Sequence, residues 1–466
     1  MTEKLTTYCI VSGLIVSLAS FQFGYKLSEL NNIKDPIISC DLNAPRILNV
    51  PVCLPMSDTY FGLVTSIFAI GGLVGAFFGG YCSEKYGRKK YLVFNALFFL
   101  VGSLIELFAT TPGMLVAGRF ISGLGSGGGV VTAPMYLTEI ATVSSRGFLN
   151  TFNQMLIVTG IFIAQLMGYF FNTGNRWRYV IVLAVVSSVV NMLTMLLVVE
   201  SPKYLISKGK LPEARIALSR LRGTSFVDDE ISSWERADSK LPESPHLDDL
   251  EPENKESISL IKILFMKKYR LSLILVFSLM TSQQLSGINT VFFYSNSIFS
   301  KMFSQSLSAI LTLVVGAINV IFTMFTVFIM DKIGRKTFLL ISMGSMAVSL
   351  AILTISLVLK VDILSVVAIY LTTISFITGL GALPYLIATE LFDQRGMSAG
   401  NTVSISANWI WTFVIGVSFF SLQERLGDYV FILFIGFLLL FSSFFYIFLP
   451  ETKDKTYNVV AKEFKF

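Results

Sequence analysis

The sequence predicts an all-α membrane protein with twelve transmembrane helices in two six-helix repeats, joined by a cytoplasmic helical linker. Of the 466 residues, 53% are hydrophobic and only 14% are charged, whereas a soluble chain of this length is about one quarter charged. Twelve apolar runs are each long enough to cross a bilayer, which takes about 20 residues. Charged motifs in the first half of the chain recur in the second half.

The first apolar run, from Tyr8 to about Leu30, lacks the short core and cleavage site of a signal peptide and is predicted to be the first span. The twelve predicted spans are 8–30, 59–82, 91–110, 113–136, 148–171, 177–199, 269–296, 304–329, 338–358, 363–389, 396–420 and 428–449. We therefore divide the chain into an N-terminal six-helix bundle at 1–199, a cytoplasmic linker at 200–268, a C-terminal bundle at 269–449 and a cytoplasmic tail at 450–466.

The linker is the one long polar insertion. Residues 203–222 are predicted to be helical, because apolar residues recur there at helical spacing. These are Ala214, Ala217, Leu218 and Leu221. Residues 224–256 are acidic and contain proline, and are predicted to form a loose connection.

The distribution of Lys and Arg between the loops predicts the orientation, since cytoplasmic loops carry the excess. One side holds the loops after spans 2, 4, 8 and 10, the linker and the tail, and it is the richer in basic residues. The other side has a thinner scatter of six. Both termini are therefore expected in the cytoplasm.

Charged motifs repeat between the halves. The run EKYGRK at 84–89 follows span 2, and DKIGRK at 331–336 follows span 8. Spans 4 and 10 each lead into Thr-Glu and then Arg-Gly, and spans 6 and 12 each end at a Glu beside a Pro or one residue from it. We predict a charge network on the cytoplasmic face, formed by Glu84, Arg88, Glu139, Arg146, Glu200, Asp331, Arg335, Glu390, Arg395 and Glu451.

This network has two interpretations. Basic residues alone would serve to keep these loops in the cytosol. An acid at each helix end, followed by an arginine, instead indicates ion pairs between helices that close this face when a site at the repeat interface opens outward. Partly exposed pairs contribute about 0–1 kcal/mol each, which suits a gate that opens thermally.

These residues resemble the sugar porter family of the major facilitator superfamily, and within it the facilitative glucose transporters. The motifs are GYCSEKYGRKK at 80–90, GRF at 118–120, PMYLTEIA at 134–141, RG at 146–147, ESPKYL at 200–205, QQLSGIN at 283–289, DKIGRK at 331–336, ATELF at 388–392, NW at 408–409 and PETK at 450–453. They follow the family's order over nearly the whole chain. The resemblance implies the major facilitator fold and alternating-access transport of a hexose, with glucose expected first.

The resemblance also implies the residues that line a sugar site. Carried over by motif or spacing, they are Gln165 in span 5, Gln283, Gln284 and Asn289 in span 7, Asn319 in span 8, and Asn408 with Trp409 in span 11. Amide side chains suit a neutral sugar, because they donate and accept hydrogen bonds without carrying charge. The alternative is that these amides bond across helices as structural contacts. Asn319 is placed by spacing alone, and the sequence favours neither sugar binding nor a structural contact for it.

Two aromatic residues near this site also have two interpretations, contact with the sugar or packing between helices. Trp409 and Phe376 could pack on the C–H face of a sugar or simply pack between helices. Phe293 and Tyr294 hold the place of a Tyr-Tyr pair that helps to close the outer gate in the family, so one gate hydroxyl is absent here.

Span 10 departs from the family pattern. Pro384-Tyr385 replaces the usual Pro-Trp, which would place Tyr385 below the sugar. Ile377 stands where facilitative carriers often have an acid that reaches the sugar. The affinity or the preferred sugar is therefore expected to differ from the family pattern.

The family's proton-coupled members have an Asp after Gly-Tyr in span 1, facing an Arg in span 4. Arg119 is present, but Lys26 holds the position of the Asp. A lysine cannot act as that carboxylate, and Glu29, at i+3, could neutralise it. Facilitative uniport is therefore expected. The alternatives are proton-coupled symport with Glu29 as a displaced proton carrier, and a Lys26 that only snorkels to the membrane interface.

Two cysteines, Cys40 and Cys53, lie in the first outer loop, where a disulfide can form, although the loop could be ordered without one. The sequence has no His/Cys cluster with metal spacing, no nucleophile–base pair and no phosphate-binding loop. We therefore expect no metal, no cofactor and no enzymatic activity. The expected partners are a sugar and the lipid bilayer, without nucleic acid, and the chain is expected to act as a monomer in the plasma membrane.

A sugar sensor that binds without transporting is the rival from another class. Sensors of this kind usually carry a long signalling tail, and only 17 residues follow span 12 here, from Pro450 to Phe466. A pentose or a polyol remains open as the substrate.

Overall fold

The computed structural model describes residues 5–38, 50–142, 145–239, 260–330, 333–393, 396–453, 455 and 457–463. Across these residues the regular secondary structure is helical. Eleven helical segments in this part of the chain are long and apolar enough to cross a membrane. The last of them, Ala399–Phe448, turns at Gly427–Tyr429 and so contains two spans, which gives the twelve that the sequence predicts.

The spans lie within a few residues of their predicted ranges. They are span 1 (Thr7–Ser28), span 2 (Asp58–Tyr86), span 3 (Arg88–Leu107), span 4 (Pro112–Ile140), span 5 (Arg146–Phe170), span 6 (Trp177–Met195), span 7 (Arg270–Leu285 and Ile288–Phe299), span 8 (Gln305–Met330), span 9 (Arg335–Val358), span 10 (Asp362–Ser375, Phe376–Leu380 and Leu383–Glu390), span 11 (Met397–Leu426) and span 12 (Val430–Phe448). Shorter helices are Lys34–Ile38, Pro202–Ser207, Leu211–Arg222, Asp228–Ser239, Leu260–Phe265 and Tyr457–Lys462, and single 3₁₀ turns are Gly174–Arg176, Lys267–Tyr269 and Gly427–Tyr429.

The linker is more helical than its sequence predicts. The helix Leu211–Arg222 buries the four predicted apolar residues, Ala214, Ala217, Leu218 and Leu221. The expectation of a loose connection over 224–256 is wrong for Asp228–Ser239, which forms a helix. Three acidic residues in its first turn favour the positive end of the helix dipole, and Val227 and Ile231 pack on Leu218. Residues 240–259 lie outside the described part of the chain.

The linker helices contact the N-terminal half. The Arg222 guanidinium donates a hydrogen bond of 2.8 Å to the Ile140 carbonyl at the end of span 4, and the Thr6 hydroxyl donates one of 2.6 Å to Leu221 O. The Tyr204 hydroxyl donates to Lys85 O at the end of span 2. The linker thus ties together three spans of one half.

Two spans of the C-terminal half are interrupted. Span 7 breaks at Gly287, whose φ of +84° lies in the left-handed region that glycine adopts without strain. Span 10 widens to a π turn at Phe376–Leu380 and restarts at Leu383. The N–H that would bond Leu380 O in a continuous helix belongs to Pro384, which has none. Both breaks leave backbone polar groups in the middle of the protein, where side chains must bond them.

Spans 2 and 4 pack at backbone distance because glycines meet there. A Cβ on Gly75 would overlap the Leu124 carbonyl, and a Cβ on Gly127 would overlap the Gly72 carbonyl. Small residues at such contacts let membrane helices approach closely. The contact holds span 4, which carries Arg119, against span 2.

The two halves meet along two matching seams. Span 2 packs on span 11, and span 8 packs on span 5. Spans 2 and 8 are counterparts in the repeat, and so are spans 5 and 11, so each seam joins the same pair of repeat positions. The centre of the protein therefore lies between spans of both halves.

We expect Gly127→Ala to lower the free energy of unfolding by about 1–3 kcal/mol, because the added methyl pushes spans 2 and 4 apart. The matched control is Gly344→Ala in span 9, where a Cβ meets no atom within 4 Å. That change should leave stability unchanged or raise it by about 0.5–1 kcal/mol. Thermal unfolding in detergent measures both variants, and equal midpoints would contradict the close packing.

Candidate functional site

A group of buried amides surrounds the break in span 10. The Gln283 amide nitrogen donates to Leu380 O at 2.6 Å and to Gly381 O at 3.1 Å. Its oxygen accepts a hydrogen bond of 2.7 Å from the amide of Asn408 in span 11. Gln283 therefore supplies the bond that Pro384 cannot make and fixes the orientation of Asn408.

The break in span 7 lies between two more of the predicted residues. Gln284 is the second-last residue of the first segment, and Asn289 is the second residue of the next, after the turn at Gly287. The Asn289 amide donates to the Gln284 side-chain oxygen across the turn, and the Gln284 amide is 3.4 Å from the oxygen of Gln283. The structure thus brings Gln283, Gln284, Asn289 and Asn408 into one chain of hydrogen bonds.

Gln165 of span 5 lies in the other half, beside span 8. Its backbone carbonyl accepts a bond of 2.9 Å from the Asn32 amide, and its side-chain oxygen lies against Gly316 of span 8. The side chain is fully buried, yet among the described residues neither its nitrogen nor its oxygen has a hydrogen-bond partner. Asn319 lies one turn beyond Gly316, and its oxygen accepts a bond of 3.4 Å from Thr323.

The predicted aromatic residues take different places. Trp409 is buried across the interface between the halves, with its ring 5.7 Å from that of Phe23 and 6.0 Å from that of Phe68, both edge-to-face. Phe376 is half-buried and makes an edge-to-face contact with Phe292. Tyr385 is 40% exposed. Trp409 therefore packs between helices here, which was one of its two interpretations.

Tyr294 bridges the halves near the ends of spans 2 and 11. Its hydroxyl is 2.7 Å from the Thr65 hydroxyl in span 2 and donates to Gly416 O at 2.9 Å. Its ring stacks on that of Phe419, with centroids 5.4 Å apart. Phe293 is buried beside Gly416. Both residues of the predicted outer gate therefore lie in a contact that joins the halves.

Other contacts close the same face. The Asn31 amide donates to the Ser295 hydroxyl at 2.8 Å, and Asn31 also accepts from the backbone N–H of Asn296 at 3.2 Å. The Lys34 ammonium lies 4.3 Å from the centroid of the Phe420 ring and 3.0 Å from the Asp58 carboxylate. In the described residues, hydrogen bonds between the halves thus gather on the face opposite the Gly-Arg-Lys loops. We call the face of those loops, which carry Arg88 and Arg335, the basic face.

Four charged side chains form a buried cluster between spans 1, 3 and 4. The Lys26 ammonium is 2.9 Å from Glu29 Oε2 and 3.0 Å from Glu106 Oε2. Arg119 Nη1 is 3.6 Å from Glu29 Oε2. All four side chains are at most 1% exposed. The alternative that Lys26 snorkels to the interface is therefore wrong, because its ammonium is bound between two carboxylates.

On the basic face, the N-terminal half has an ion pair and a capping carboxylate. The Arg88 guanidinium donates to Glu139 Oε1 at 2.9 and 3.2 Å. Glu200 Oε1 accepts from the backbone N–H of Lys89, in the first turn of span 3, at 2.9 Å. A Cβ on Gly87 would overlap Glu200 Oε2, which explains why the loop needs a glycine there.

The C-terminal half repeats the arrangement. Glu451 accepts from the backbone N–H groups of Arg335 at 2.7 Å and Lys336 at 3.3 Å, in the first turn of span 9. A Cβ on Gly334 would overlap Glu451 Oε2. Arg335 Nε is 3.6 Å from Glu390 Oε1. Glu200 and Glu451 therefore neutralise two helix N-termini, an interaction that favours carboxylates.

The remaining predicted charged residues are Glu84, Arg146, Asp331 and Arg395. Glu84 is exposed. Asp331 and Arg395 lie outside the described residues, and the side chain of Arg146 is likewise not described. Cys53 is disulfide-bonded, Cys9 and Cys82 are free thiols, and Cys40 lies outside the described residues.

Within the C-terminal half, Asp393 joins the loop after span 10 to the start of span 7. Its carboxylate accepts from the Lys268 ammonium at 2.7 Å, from the Tyr269 hydroxyl at 2.8 Å and from the Gly396 N–H at 2.9 Å. Partial burial raises the pKa of Asp393, but the hydrogen bonds outweigh it and hold the pKa below its usual value. Tyr457 of the tail helix stacks on Tyr269.

Similarity to known proteins identifies the family of this chain. The model of the family described as sugar (and other) transporter matches residues 11–464. The chain belongs to this sugar transporter family. It is therefore a multi-pass integral membrane protein, and the expectation that it is not an enzyme is confirmed, because its relatives are transporters.

Two kinds of similar protein support the assignment. The facilitated glucose transporter member 2 of solute carrier family 2 from Gallus gallus is 35% identical over 451 residues, which cover 94% of this chain and 80% of the relative. The xylose transporter XylE from E. coli, solved in a partially occluded inward open conformation, has a TM-score of 0.79 at 21% identity, covering 97% and 100% of the two chains.

A second structure of XylE, described as a proton:xylose symporter of the major facilitator superfamily bound to 6-bromo-6-deoxy-D-glucose, has a TM-score of 0.74 at 20% identity and covers 99% and 100% of the two chains. At such identities the likeness concerns the fold. The predicted major facilitator fold of this sugar transporter is thereby confirmed.

The sequence reasoning overlooked Glu106. This residue is an acid within the apolar run of span 3, and its carboxylate completes the buried cluster. A charge inside a membrane span is a functional suspect by default, so the signal was present. The Asp393–Tyr269 junction had no such signal, because its residues lie in separate loops.

We expect Asp393→Asn to lower the melting temperature of the transporter by about 2–4 °C at neutral pH. Because the pKa of Asp393 is lower in the folded state, its contribution is full above the unfolded value of about 4 and disappears as the pH falls through the folded value. The difference between wild type and variant should therefore shrink below about pH 4. Asp428→Asn, at an exposed position, is the control and should show no such trend, and equal melting temperatures at every pH would contradict the junction's role.

Proposed function

We propose that this sugar transporter is a facilitative carrier of a hexose, with glucose as the first candidate, that works by alternating access as a monomer. The observation that carries the proposal is the set of uncharged amides buried where the halves meet. Gln283, Gln284, Asn289 and Asn408 come from the C-terminal half, and Gln165 comes from the N-terminal half. Such groups match the hydroxyls of a neutral sugar in both donors and acceptors.

Gln165 distinguishes this function from a purely structural one. Gln283 and Asn408 bond each other and the broken span 10, so helix packing alone could account for them. The Gln165 amide has no hydrogen-bond partner among the described residues and is shielded from solvent. An unsatisfied buried amide costs stability, and a bound sugar would supply the missing partners.

Alternating access would use the two faces differently. The face with Tyr294 and Asn31 is held closed by contacts between the halves. On the basic face, the described pairs of Arg88 with Glu139 and Arg335 with Glu390 each lie within one half. They therefore support rigid halves that rock against each other, rather than bonds that open and close with each cycle.

The buried charge cluster supports uniport. Two cations, Lys26 and Arg119, balance two carboxylates, Glu29 and Glu106, so the cluster needs no proton to become neutral. Symport is the second candidate, because two buried carboxylates could carry a proton and XylE is described as a proton symporter. A pentose or polyol is a further candidate substrate. In the family pattern these positions of span 10 face the sugar, and here Ile377 and Tyr385 replace the usual residues.

We propose that the basic face is cytoplasmic, since loops rich in Lys and Arg stay on that side. Both termini then lie in the cytoplasm, and the Cys53 disulfide faces the oxidising side, as extracellular exposure permits. The plasma membrane is the proposed location.

Uptake of labelled glucose into proteoliposomes that contain only this protein tests the function. We expect uptake that stops at equal concentrations and is indifferent to an imposed pH gradient. Accumulation above the outside concentration, abolished by a protonophore, would instead establish symport. Sugar binding without any uptake would establish a sensor, and competition by unlabelled hexoses, pentoses and polyols would rank the substrates.

We expect Gln165→Leu to lower uptake at subsaturating glucose by at least about tenfold, as loss of one buried hydrogen-bonding group costs a sugar about 1.4 kcal/mol or more. The melting temperature should stay the same or rise, because the change removes an unsatisfied buried amide. Gln423→Leu, near the end of span 11, is the matched control and should transport normally. A Gln165→Leu variant that is less stable but transports with unchanged affinity would show that Gln165 is structural.

A further inference from the structure

We propose that Lys26 is a built-in cation that neutralises a proton-binding site made by Glu29 and Glu106, and that removing its charge opens this site to a proton from water. The inference rests on the proposed uniport. It assigns Glu106 as the second carboxylate of the site, a role for which the sequence motifs give no indication.

The geometry places one ammonium between two carboxylates. Lys26 Nζ lies 2.9 and 3.2 Å from the two oxygens of Glu29, and 3.0 Å from Glu106 Oε2. The other oxygen of Glu106 accepts a hydrogen bond of 2.9 Å from the Ser122 hydroxyl in span 4. The site is therefore built from three spans, and the described hydrogen bonds of the Glu106 carboxylate come from Lys26 and Ser122.

Arg119 cannot replace Lys26. Its Nη1 donates to the Lys26 backbone carbonyl at 2.7 Å, and its contact with Glu29 is longer, at 3.6 Å. Its guanidinium also lies 4.6 Å from the centroid of the Phe68 ring. Arg119 is therefore already held by span 1 and by an aromatic face, and none of its described contacts is with Glu106.

The other titratable groups near the cluster are bonded elsewhere. The Tyr25 hydroxyl donates to Val180 O at 2.6 Å. Tyr294 bonds Thr65 and Gly416, and Arg178 of span 6 donates to backbone carbonyls of Leu107 and Ala109. None of these contacts supplies a proton donor to the two carboxylates. Lys26 is the cation whose described contacts reach both of them.

Charge balance then gives the direction of each variant. Lys26→Met leaves two carboxylates with one guanidinium, a net charge of −1 in a site shielded from solvent. Burying an uncompensated charge is strongly unfavourable, and binding one proton from water at Glu29 or Glu106 removes it. Glu106→Gln leaves a net charge of +1, which loss of the Lys26 proton to water removes. The double variant retains Arg119 with Glu29 and is neutral.

The cluster also lies directly behind the contact that closes the face of Tyr294. Arg119 Nη2 donates to the Thr65 carbonyl at 3.4 Å, and the Thr65 hydroxyl is 2.7 Å from that of Tyr294. The charge state of the cluster can therefore bias the closing of this face, so a proton bound there would change the transport rate.

The test compares glucose uptake by proteoliposomes of the wild type, Lys26→Met, Glu106→Gln and the double variant, from acid to alkaline pH. We expect a flat profile for the wild type and the double variant. Uptake by Lys26→Met should rise toward acid by up to about tenfold per pH unit, the limit for one bound proton. Uptake by Glu106→Gln should rise toward alkaline pH, with the opposite slope.

Opposite slopes in the single variants, cancelled in the double variant, would support the inference, because a merely structural loss would move all profiles together. A flat Lys26→Met profile, or a slope that survives in the double variant, would overturn it. If a single variant fails to fold, the remaining variants are tested in weakly buffered detergent. The pH change on glucose binding then reports proton uptake by Lys26→Met or proton release by Glu106→Gln. A wild type that moves no sugar defeats the proposed function, whereas a wild type that equilibrates sugar while the variants stay flat defeats the inference alone.

Discussion

The rest of the structure depends on one constraint: a polar group inside a membrane must find its partner within the protein. An unbroken helix satisfies its own backbone, so the breaks in spans 7 and 10 need a specific solution. Pro384 leaves the Leu380 carbonyl unbonded, and the Gln283 amide bonds it from the neighbouring span. The same amide then presents its oxygen to Asn408. The break in one helix thus fixes the orientation of side chains on two others, and it does so at the interface of the halves.

The same constraint explains the glycines of the two basic loops. Each loop begins a helix whose first N–H groups have no partner within the helix. Glu200 and Glu451 bond those groups at spans 3 and 9, and both carboxylates reach them only because Gly87 and Gly334 lack a Cβ. The Gly-Arg-Lys pattern is therefore more than a topology signal. Each half uses one carboxylate to join its last span to its third, which favours halves that move as rigid bodies.

Much of the fold could be predicted from the sequence because a membrane span has a length and a composition of its own. The twelve apolar runs therefore predict the spans, and the repeated charged motifs predict the two repeats. Which amides bond one another could not be predicted, since this depends on where spans 7 and 10 break. Glu106 could have been found as an acid in an apolar run, but its partner, Lys26, lies 80 residues away in another span. Helix Asp228–Ser239 was missed because its acidic composition hid the buried Val227 and Ile231.

The central amides and the charge cluster serve different purposes, but neither group carries a net charge. A neutral sugar needs partners without net charge, and the amides supply them. A carrier that couples to no ion must keep its buried acids neutral at every stage, and a tethered lysine does this permanently, whereas a proton does it only when it is bound. Lys26 lies between Glu29 and Glu106, and Arg119 and Thr65 link this cluster to Tyr294. We propose that this arrangement keeps the closing of that face independent of pH. On this view, a single side chain separates a passive carrier from one that responds to protons.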